Sequence, residues 1–372
     1  RTHPDVTVQF ERKGFENIQR TAQMVLASQD VPDLMQTNKG NATAGVYSKQ
    51  GLLTKLDEVA EERGWTEIMS PSVQSVARYD GRGIMGSGDL WGVTTYGEYV
   101  MVYYNKDVFD EYGLSEPTSY AEYEEILATL KENGIQPLSV GAADQWPVTQ
   151  NWYELALYEA DRDFINNFQF LTEDIDFEGE EFTYGAQEFK SHIDAGYYGD
   201  NVNGIDYSSA NSAFVQGEVA MTLTGSWQYS YFMQNVKDFQ WGTFLMPGKR
   251  LNTGSGGNLF VVPENAKNKE LAYDFLDIVY SQEYQTRMAE AGGIPLNANL
   301  DAIDDEKVKE LNAKFNTIVK NDGLAFYPDW PVPDFMTILG GGLQELIAGD
   351  VTPREFVQDL SEAYYDFKET LP

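Results

Sequence analysis

The sequence contains no cysteine and only two histidines, His3 and His192. The lack of cysteine excludes disulfide bonds and thiolate-bound metals. With so few imidazoles, histidine-based catalytic triads and metal sites are poorly supplied, so neither a metal nor a cofactor is expected. No run approaches the ~18 apolar residues that a bilayer-spanning helix needs, and no such helix is expected.

Basic residues are also scarce. The chain has 26 Lys and Arg against 59 Asp and Glu, which gives a formal net charge of −33. A field of this sign repels nucleic acid and anionic membranes, so neither is expected as a partner. The apolar fraction of 42% is that of a folded globular protein. A length of 372 residues exceeds one ordinary core and predicts two domains.

Aromatic residues, by contrast, are abundant, with 23 Tyr, 20 Phe and 7 Trp. Tyr and Trp combine an apolar face with a polar tip. Sugars need both, because their C–H patches stack on rings while their hydroxyls require hydrogen bonds. The excess of Tyr and Trp therefore favours a carbohydrate ligand.

Residues 213–227 contain the most informative pattern in the chain, a predicted helix end, strand and helix start in succession. Gly217 predicts a helix end, Glu218 to Thr224 a buried strand, and Ser226 the N-cap of a further helix. This order puts Trp227 at the carboxyl end of a strand, where open α/β sheets bind ligands. The alternative is that the ring only fills the core, since Trp is highly buried on average.

Several motifs resemble, in the same order, those of the family 1 extracellular solute-binding proteins, the relatives of maltose-binding protein that serve bacterial ABC importers. The motifs are Ala213-Phe214 through Gly225-Ser226-Trp227, Asp30-Val31-Pro32-Asp33-Leu34, Val102-Tyr103-Tyr104-Asn105-Lys106-Asp107-Val108-Phe109, Pro117 to Glu122, Asn268 to Ala272 with Phe275-Leu276, and Gly293-Ile294-Pro295. The resemblance covers nearly the whole chain. It is specific for the family but not for the ligand.

The resemblance implies an α/β, two-lobed, type II periplasmic-binding-protein-like fold with mixed sheets and an interdomain cleft. The first lobe would be residues 1–105 plus 261–315 and the second 106–260 plus 316–372, with crossovers near 105, 260 and 315. His3 to Phe10 alternates as a strand does. In the family a strand and a helix precede this point, so we expect the first lobe to lack the family's first strand.

Candidate ligand residues come from segments that follow strands or cross between the lobes. They include the polar tip Thr37-Asn38-Lys39, the segment 90–98, the aromatic loop predicted at 142–153, the Gly-rich approach 252–258 and the proline-rich segment 326–335. The aromatic candidates are Trp227, Trp152, Trp330 and Tyr96. The polar candidates are Asn38, Lys39, Glu98, Asp144, Gln145, Asn258, Asp329 and Asp334.

Two other motifs lack the neighbouring residues or elements that their usual function requires. Gly81-Arg82-Gly83-Ile84-Met85-Gly86 has the spacing of a dinucleotide-binding loop, but no helix is predicted to follow it. The acidic segment 173–181 lacks the terminal Glu that a calcium loop of EF-hand type requires, so a solvated loop is expected.

Helix starts are predicted by capping boxes at Ser119-x-x-Glu122 and Thr352-x-x-Glu355.

The resemblance implies a non-enzymatic oligosaccharide carrier that closes around its ligand and is recognised by the membrane subunits of an ABC importer. A monomer is expected, lipid-anchored on the extracellular face of the membrane or in the periplasm. A polyamine carrier of the same architecture is the main alternative, since acidic charge and aromatic boxes suit ammonium groups. A glycoside hydrolase is a further one, because it needs only two carboxylates.

Overall fold

The computed structural model describes residues 3–371, in which short strands alternate with helices. The strands are β1 (Met35–Thr37), β2 (Arg78–Tyr79), β3 (Asp89–Leu90), β4 (Gly97–Asn105), β5 (Leu138–Ser139), β6 (Met221–Gly225), β7 (Trp241–Phe244), β8 (Asn252–Gly256), β9 (Leu259–Val261) and β10 (Leu324–Ala325). The helices are α1 (Phe15–Leu26), α2 (Val46–Lys49), α3 (Asp57–Glu62), α4 (Trp65–Ile68), α5 (Pro71–Ser75), α6 (Lys106–Glu111), α7 (Tyr120–Glu132), α8 (Trp146–Ala156), α9 (Arg162–Phe170), α10 (Glu180–Asp194), α11 (Tyr207–Val215), α12 (Tyr229–Asn235), α13 (Lys269–Tyr280), α14 (Gln282–Glu290), α15 (Glu306–Lys320), α16 (Phe335–Ala348) and α17 (Pro353–Glu369). The predicted α/β class is confirmed.

The main sheet has six strands, in the order β10-β8-β4-β6-β5 with β7 also paired to β4. Strand β4 is antiparallel to β6, β7 and β8, while β5 and β10 are parallel to β6 and β8. Strand β4 therefore runs against the other five. All nine of its residues are buried, as expected for a strand covered on both faces.

This topology decides where ligand residues can meet. Because β4 is reversed, its first residues lie at the same sheet edge as the carboxyl ends of β5, β6, β8 and β10. The register shows it directly, since Gly97 pairs with Gly256 and Val100 with Gly225. We call this the ligand edge. Trp227, Asn258 and Tyr327 each lie two residues beyond the end of a strand at this edge.

Smaller sheets complete the fold, with β1 antiparallel to β9 and β2 antiparallel to β3. The predicted strand at His3 to Phe10 is wrong, because this segment is irregular. Val8 and Phe10 are 67% and 85% exposed. No strand among residues 3–371 pairs with the segment, so its backbone has no ladder to join and its alternating side chains have no face to cover.

Most predicted helix boundaries follow local chemistry, but the N-cap predicted at Ser226 is wrong: a short 3₁₀ turn begins at Ser226 after Gly225, and the Ser226 hydroxyl accepts from Tyr99 N instead of capping it. The Ser119 hydroxyl accepts a hydrogen bond from Glu122 N, and the capping box at Thr352 is complete. Gly217 has a φ of 72°, as the predicted helix end requires.

The segment 142–153 is not the predicted loop, because α8 begins at Trp146. Pro147 lies in the first turn of this helix, where the missing N–H costs nothing. Residues 147–156 are all buried. Helix α8 packs on α10, α16 and the main sheet, so its burial overrides the loop-like composition of the segment.

The lobe boundaries remain a prediction. Helices α16 and α17 pack on α8 and α10, and Trp65 packs on Tyr273 and Tyr280. The return predicted near residue 315 falls within the continuous helix α15, where Phe315 stacks on Tyr99 at 6.2 Å between ring centroids. None of the helices between residues 3 and 371 combines the length and apolar character that crossing a bilayer requires.

Candidate functional site

A cavity of about 370 Å³ opens at the ligand edge. Its size is within the range of small-molecule sites. Its aromatic lining comes from Phe15, Tyr96, Trp146, Tyr207, Trp227, Tyr327 and Trp330. The remaining lining residues are Glu16, Gln19, Asn38, Glu98, Thr149, Gln150, Asn258, Asp329 and Met336. We call this space the aromatic cavity.

Trp227 is fixed at the cavity wall by a hydrogen bond and by a glycine. Its indole Nε1 donates to the Tyr207 hydroxyl at 2.7 Å, and that hydroxyl lies 3.0 Å from Thr224 Oγ1. A Cβ added at Gly225 would lie 2.1 Å from the indole ring. The ring therefore lies against bare backbone, and Tyr207 holds its polar edge. Burial raises the pKa of Tyr207 to about 12, so its hydroxyl is neutral.

The segment after β10 contributes two more rings. The Tyr327 and Trp330 ring centroids are 5.0 Å apart, and Tyr327 lies 6.2 Å from Trp227. Gly40, with a φ of 94°, faces Trp330, and a Cβ there would lie 2.7 Å from the Trp330 Cβ. The prolines that exclude a helix from this segment thus leave it free to turn its rings into the cavity.

Trp146 and Phe15 also line the cavity; Trp146 lies in the candidate segment 142–153 without being predicted individually, and Phe15 is not among the predicted residues. The Trp146 ring lies 4.4 Å from Tyr207 and 6.0 Å from Trp227, while Phe15 meets Trp146 edge-on at 6.3 Å. Tyr207 and Gln150 were also missed. The signal for Trp146 is its position in the segment that follows β5, directly before Pro147, which is typical of a first helical turn.

Tyr96 and Asn258 meet in the lining as well. The Tyr96 hydroxyl accepts a 3.1 Å hydrogen bond from Asn258 N. A Cβ on Gly257 would lie 2.0 Å from the Tyr96 ring. Burial raises the pKa of Tyr96, so this hydroxyl is also neutral.

A buried ion pair joins Glu98, which lines the cavity, to Lys39, which does not. Lys39 Nζ lies 3.0 Å from Glu98 Oε1 and donates to Gly256 O at 2.7 Å. The Ser255 hydroxyl donates to the same Glu98 oxygen at 3.1 Å. Lys39 is 1% exposed and Glu98 is 9% exposed. Burial lowers the pKa of Lys39, and the Glu98 carboxylate opposes that shift.

Lys39 therefore acts on the site through Glu98 and not by direct contact with a ligand. Its ammonium lies 5.0 Å from the Trp330 ring centroid and does not line the cavity. Its position holds Glu98 in one orientation and offsets the Glu98 charge.

Asp329 is one of three acidic residues in the lining, with Glu16 and Glu98. Its side chain is partly open to the cavity but is surrounded by protein on its other sides. Burial raises the pKa of Asp329 to about 7, against the opposing effects of its own backbone N–H and of Lys39. This carboxyl is consequently divided between protonated and ionised forms near neutral pH.

Seven predicted residues line the aromatic cavity: Trp227, Trp330, Tyr96, Asn38, Glu98, Asn258 and Asp329. Trp152 does not. It lies six residues, or about 1.7 helical turns, beyond Trp146 on α8 and so faces another direction. It is 1% exposed and packs on Phe182 and Phe356 at 5.3 and 5.5 Å between ring centroids. Trp152 is a core residue.

Three polar candidates also lie outside the lining. The Asp144 carboxylate accepts a 2.7 Å hydrogen bond from Tyr207 N, so it orients a cavity residue without facing the cavity. Gln145, with a φ of 63°, turns towards α16 and donates to Gln344 at 3.3 Å. Asp334 is exposed at the start of α16 with a φ of 61°.

Among residues 3–371, one group of three metal-ligating side chains is found. It consists of Glu124, Glu188 and His192, on α7 and α10. None of the three lines the aromatic cavity. The cavity's own chemistry is therefore that of stacking faces and hydrogen-bonding groups.

An α/β fold with a ring-lined cavity at the carboxyl edge of its main sheet defines a binding protein for a small solute. The chain belongs to the bacterial extracellular solute-binding proteins, since the model of that family matches residues 1–286. The predicted family and its two-lobed fold class are confirmed by this match and by the solved relatives.

Individual relatives are distant. A probable sugar-binding periplasmic protein of Rhizobium meliloti is 26% identical over 51% of this chain and 44% of its own length. An uncharacterized ABC transporter extracellular-binding protein of Pyrococcus horikoshii is 23% identical over 82% of this chain and 68% of its own. The chain thus matches under half the length of the first of these relatives.

One solved relative was described with xylan utilization by the thermophilic bacterium Caldanaerobius polysaccharolyticus. It is 21% identical, with a TM-score of 0.84, and the alignment covers 97% of this chain and 92% of that one. At this identity the likeness shows the fold alone.

Proposed function

We propose that the aromatic cavity binds an oligosaccharide and that this chain presents it to the membrane subunits of an ABC importer. The observation that carries the proposal is the combination, in one cavity, of several Trp and Tyr rings with carboxyl and amide groups. The relatives from Rhizobium and Pyrococcus, a probable sugar-binding periplasmic protein and an ABC transporter extracellular-binding protein, support it.

The rings supply the stacking part of recognition. Successive centroids from Trp146 to Trp227, Tyr327 and Trp330 are 6.0, 6.2 and 5.0 Å apart. Several adjacent faces can contact more than one sugar unit, which favours an oligosaccharide over a single ring. Such contacts bury apolar C–H surface without requiring charge.

The polar groups supply orientation. Glu98 is held by Lys39 and Ser255, so its second oxygen can accept from a sugar hydroxyl at little entropic cost. Asp329 accepts when ionised and donates when protonated. Hydrogen bonds to charged acceptors are the stronger kind. A micromolar complex needs about 8 kcal/mol, which a few such bonds and stacked rings can reach.

A polyamine ligand is less favoured by the same geometry. Lys39 already offsets the charge of Glu98, and burial shifts Asp329 towards its neutral form. Glu98 and Asp329 therefore offer a cation little uncompensated charge, which leaves the exposed Glu16 as the other carboxylate of the lining, although the rings alone would suit an ammonium group.

We propose that binding occurs without chemistry on the ligand. The family is one of solute-binding proteins. Incubation with oligosaccharides followed by product chromatography tests this point, and released shorter sugars would favour the hydrolase alternative.

We further propose where the protein acts and how it takes up its ligand. A monomer on the extracellular face, lipid-anchored or in the periplasm, would capture the sugar between two lobes. The lobes, 1–105 plus 261–315 and 106–260 plus 316–372, would then close, and the importer would recognise the closed form.

The test is a calorimetric titration with a panel of neutral oligosaccharides and with spermidine, each at low and high ionic strength. We expect saturable binding of at least one neutral sugar with an affinity that hardly changes with salt, because no net charge is neutralised. Binding of spermidine alone, weakening steeply with salt, would replace the sugar proposal with the polyamine one.

A further inference from the structure

We infer that Glu124, Glu188 and His192 form a binding site for a divalent transition metal ion, Zn²⁺ above all, separate from the aromatic cavity. The site does not depend on the sugar proposal, since none of its residues lines that cavity.

The ligand atoms already converge. One atom from each of the three side chains lies within 4.8 Å of the other two. His192 Nε2 is 2.6 Å from Glu124 Oε1. The Tyr120 hydroxyl lies 2.9 Å from Glu188 Oε2 and 3.3 Å from His192 Nε2, which adds a fourth potential ligand atom to the group.

Two helices present these side chains as facing pairs. Glu188 and His192 are four residues apart on α10, and Tyr120 and Glu124 are four residues apart on α7. Residues at this spacing share one face of a helix. Long helices hold a site more accurately than loops do.

The imidazole is held in place from its other sides as well. His192 is 1% exposed. The rings of Tyr197 and Tyr123 lie 5.6 and 6.5 Å from it between centroids. The Glu124 side chain is 33% exposed, so an ion has a route in from solvent while the nitrogen ligand stays fixed.

The donor set selects the metal. One imidazole nitrogen and two carboxylates, with a water or the phenol oxygen in the fourth position, match the tetrahedral nitrogen and oxygen ligation of zinc. Calcium requires six to eight oxygens, and magnesium keeps an octahedral shell of waters.

The required adjustment is small. Zinc–ligand distances of ~2.1 Å place tetrahedral ligand atoms ~3.4 Å apart. The present separations, from 2.6 Å up to 4.8 Å, lie on both sides of that value. Rotation of the two carboxylates is the adjustment we infer, and the ion would replace the hydrogen bond between His192 and Glu124.

The alternative is that these side chains form a hydrogen-bonded polar cluster that holds no metal. In that case cations would bind only weakly and diffusely, through the net charge of −33. A test must therefore separate a specific zinc site from diffuse binding. The sequence offers a matched control, because His3 is the other histidine and there is no cysteine.

The experiment is a titration of tag-free, chelator-treated protein with ZnCl₂, and in parallel with CaCl₂, at ~0.15 M salt to screen diffuse attraction. We expect wild type to bind zinc with a stoichiometry of one and in strong preference to calcium. His192→Gln and Glu188→Gln should each weaken zinc binding at least tenfold, while His3→Gln should leave it unchanged.

Equal binding of zinc and calcium, or zinc binding unchanged in both site variants, would overturn the inference, as would loss of zinc binding in His3→Gln. Circular dichroism checks the fold of each variant. If His192→Gln does not fold, Glu124→Gln takes its place, because it keeps the size of the side chain. Zinc should raise the thermal midpoint of wild type but not of Glu188→Gln, since only a bound ion stabilises the folded state.

Discussion

The indole nitrogen of Trp227 donates a 2.7 Å hydrogen bond to the hydroxyl of Tyr207. Trp227 follows β6, whereas Tyr207 begins α11, and the Asp144 carboxylate fixes Tyr207 in turn by accepting from its backbone N–H. The orientation of the ring thus depends on three segments that are distant in sequence. The sugar proposal requires this orientation.

Removal of the Trp227 ring should weaken sugar binding at least tenfold. Trp227→Ala deletes a stacking face and leaves the Tyr207 hydroxyl without its donor, while the core residues of β6 remain. The measurement is calorimetric titration with the sugar that the panel selects. Trp152→Phe is the matched control, and it should lower the free energy of unfolding without changing the affinity. Equal losses of affinity in both variants would contradict the assignment of Trp152 to the core.

A methyl group at Gly225 should act on binding through Trp227. The new Cβ would lie 2.1 Å from the indole, so the ring must move away from the wall. We expect Gly225→Ala to weaken sugar binding while the circular dichroism spectrum stays that of wild type. Gly81→Ala is the control, because a Cβ there meets nothing within 4 Å. An affinity equal to wild type in Gly225→Ala would show that the ring position is unimportant.

Loss of the Lys39 charge should destabilise the fold. Lys39→Met leaves the Glu98 carboxylate buried without its cation, and breaking such a pair costs about 3–5 kcal/mol. Urea unfolding measures the effect. Lys39→Met with Glu98→Gln should recover part of the loss, because the second change removes the unpaired charge. A double variant less stable than Lys39→Met alone would argue against this origin of the effect.

Asp329 should make stability depend on pH in a defined direction. Burial raises its pKa from 3.8 to about 7, so between these values the folded chain holds a proton that the unfolded chain releases. The free energy of unfolding contributed by this group therefore falls as pH rises through this window. We expect the difference between Asp329→Asn and wild type to shift in favour of the variant from pH ~4 to ~7 and then to level off. A difference independent of pH would contradict the raised pKa.

The features predictable from sequence were those with a local cause. Gly217 ends a helix because it takes a positive φ, and the capping box at Thr352 needs only neighbouring residues. Trp227 and Trp330 reach the cavity because their segments follow strands at the ligand edge. The family resemblance supplied the fold class.

The features that failed depend on distant packing. The strand predicted at His3 to Phe10 has the right alternation but no partner among the described residues. Trp146 and Trp152 lie six residues apart on α8, and the residues around them give no sign of which ring faces the cavity. The rotation of α8 about its axis decides this, and it is set by packing on α10 and α16. Tyr207 could not be chosen from sequence, because its role arises through Asp144 and Trp227.

The most direct measurement is a crystal structure of the chain with the oligosaccharide selected by titration. We expect sugar rings within ~4 Å of the Trp227 and Trp330 faces, with hydroxyls bonded to Glu98 or Asp329. A sugar bound elsewhere, with the aromatic cavity free of it, would contradict the proposed function of this cavity.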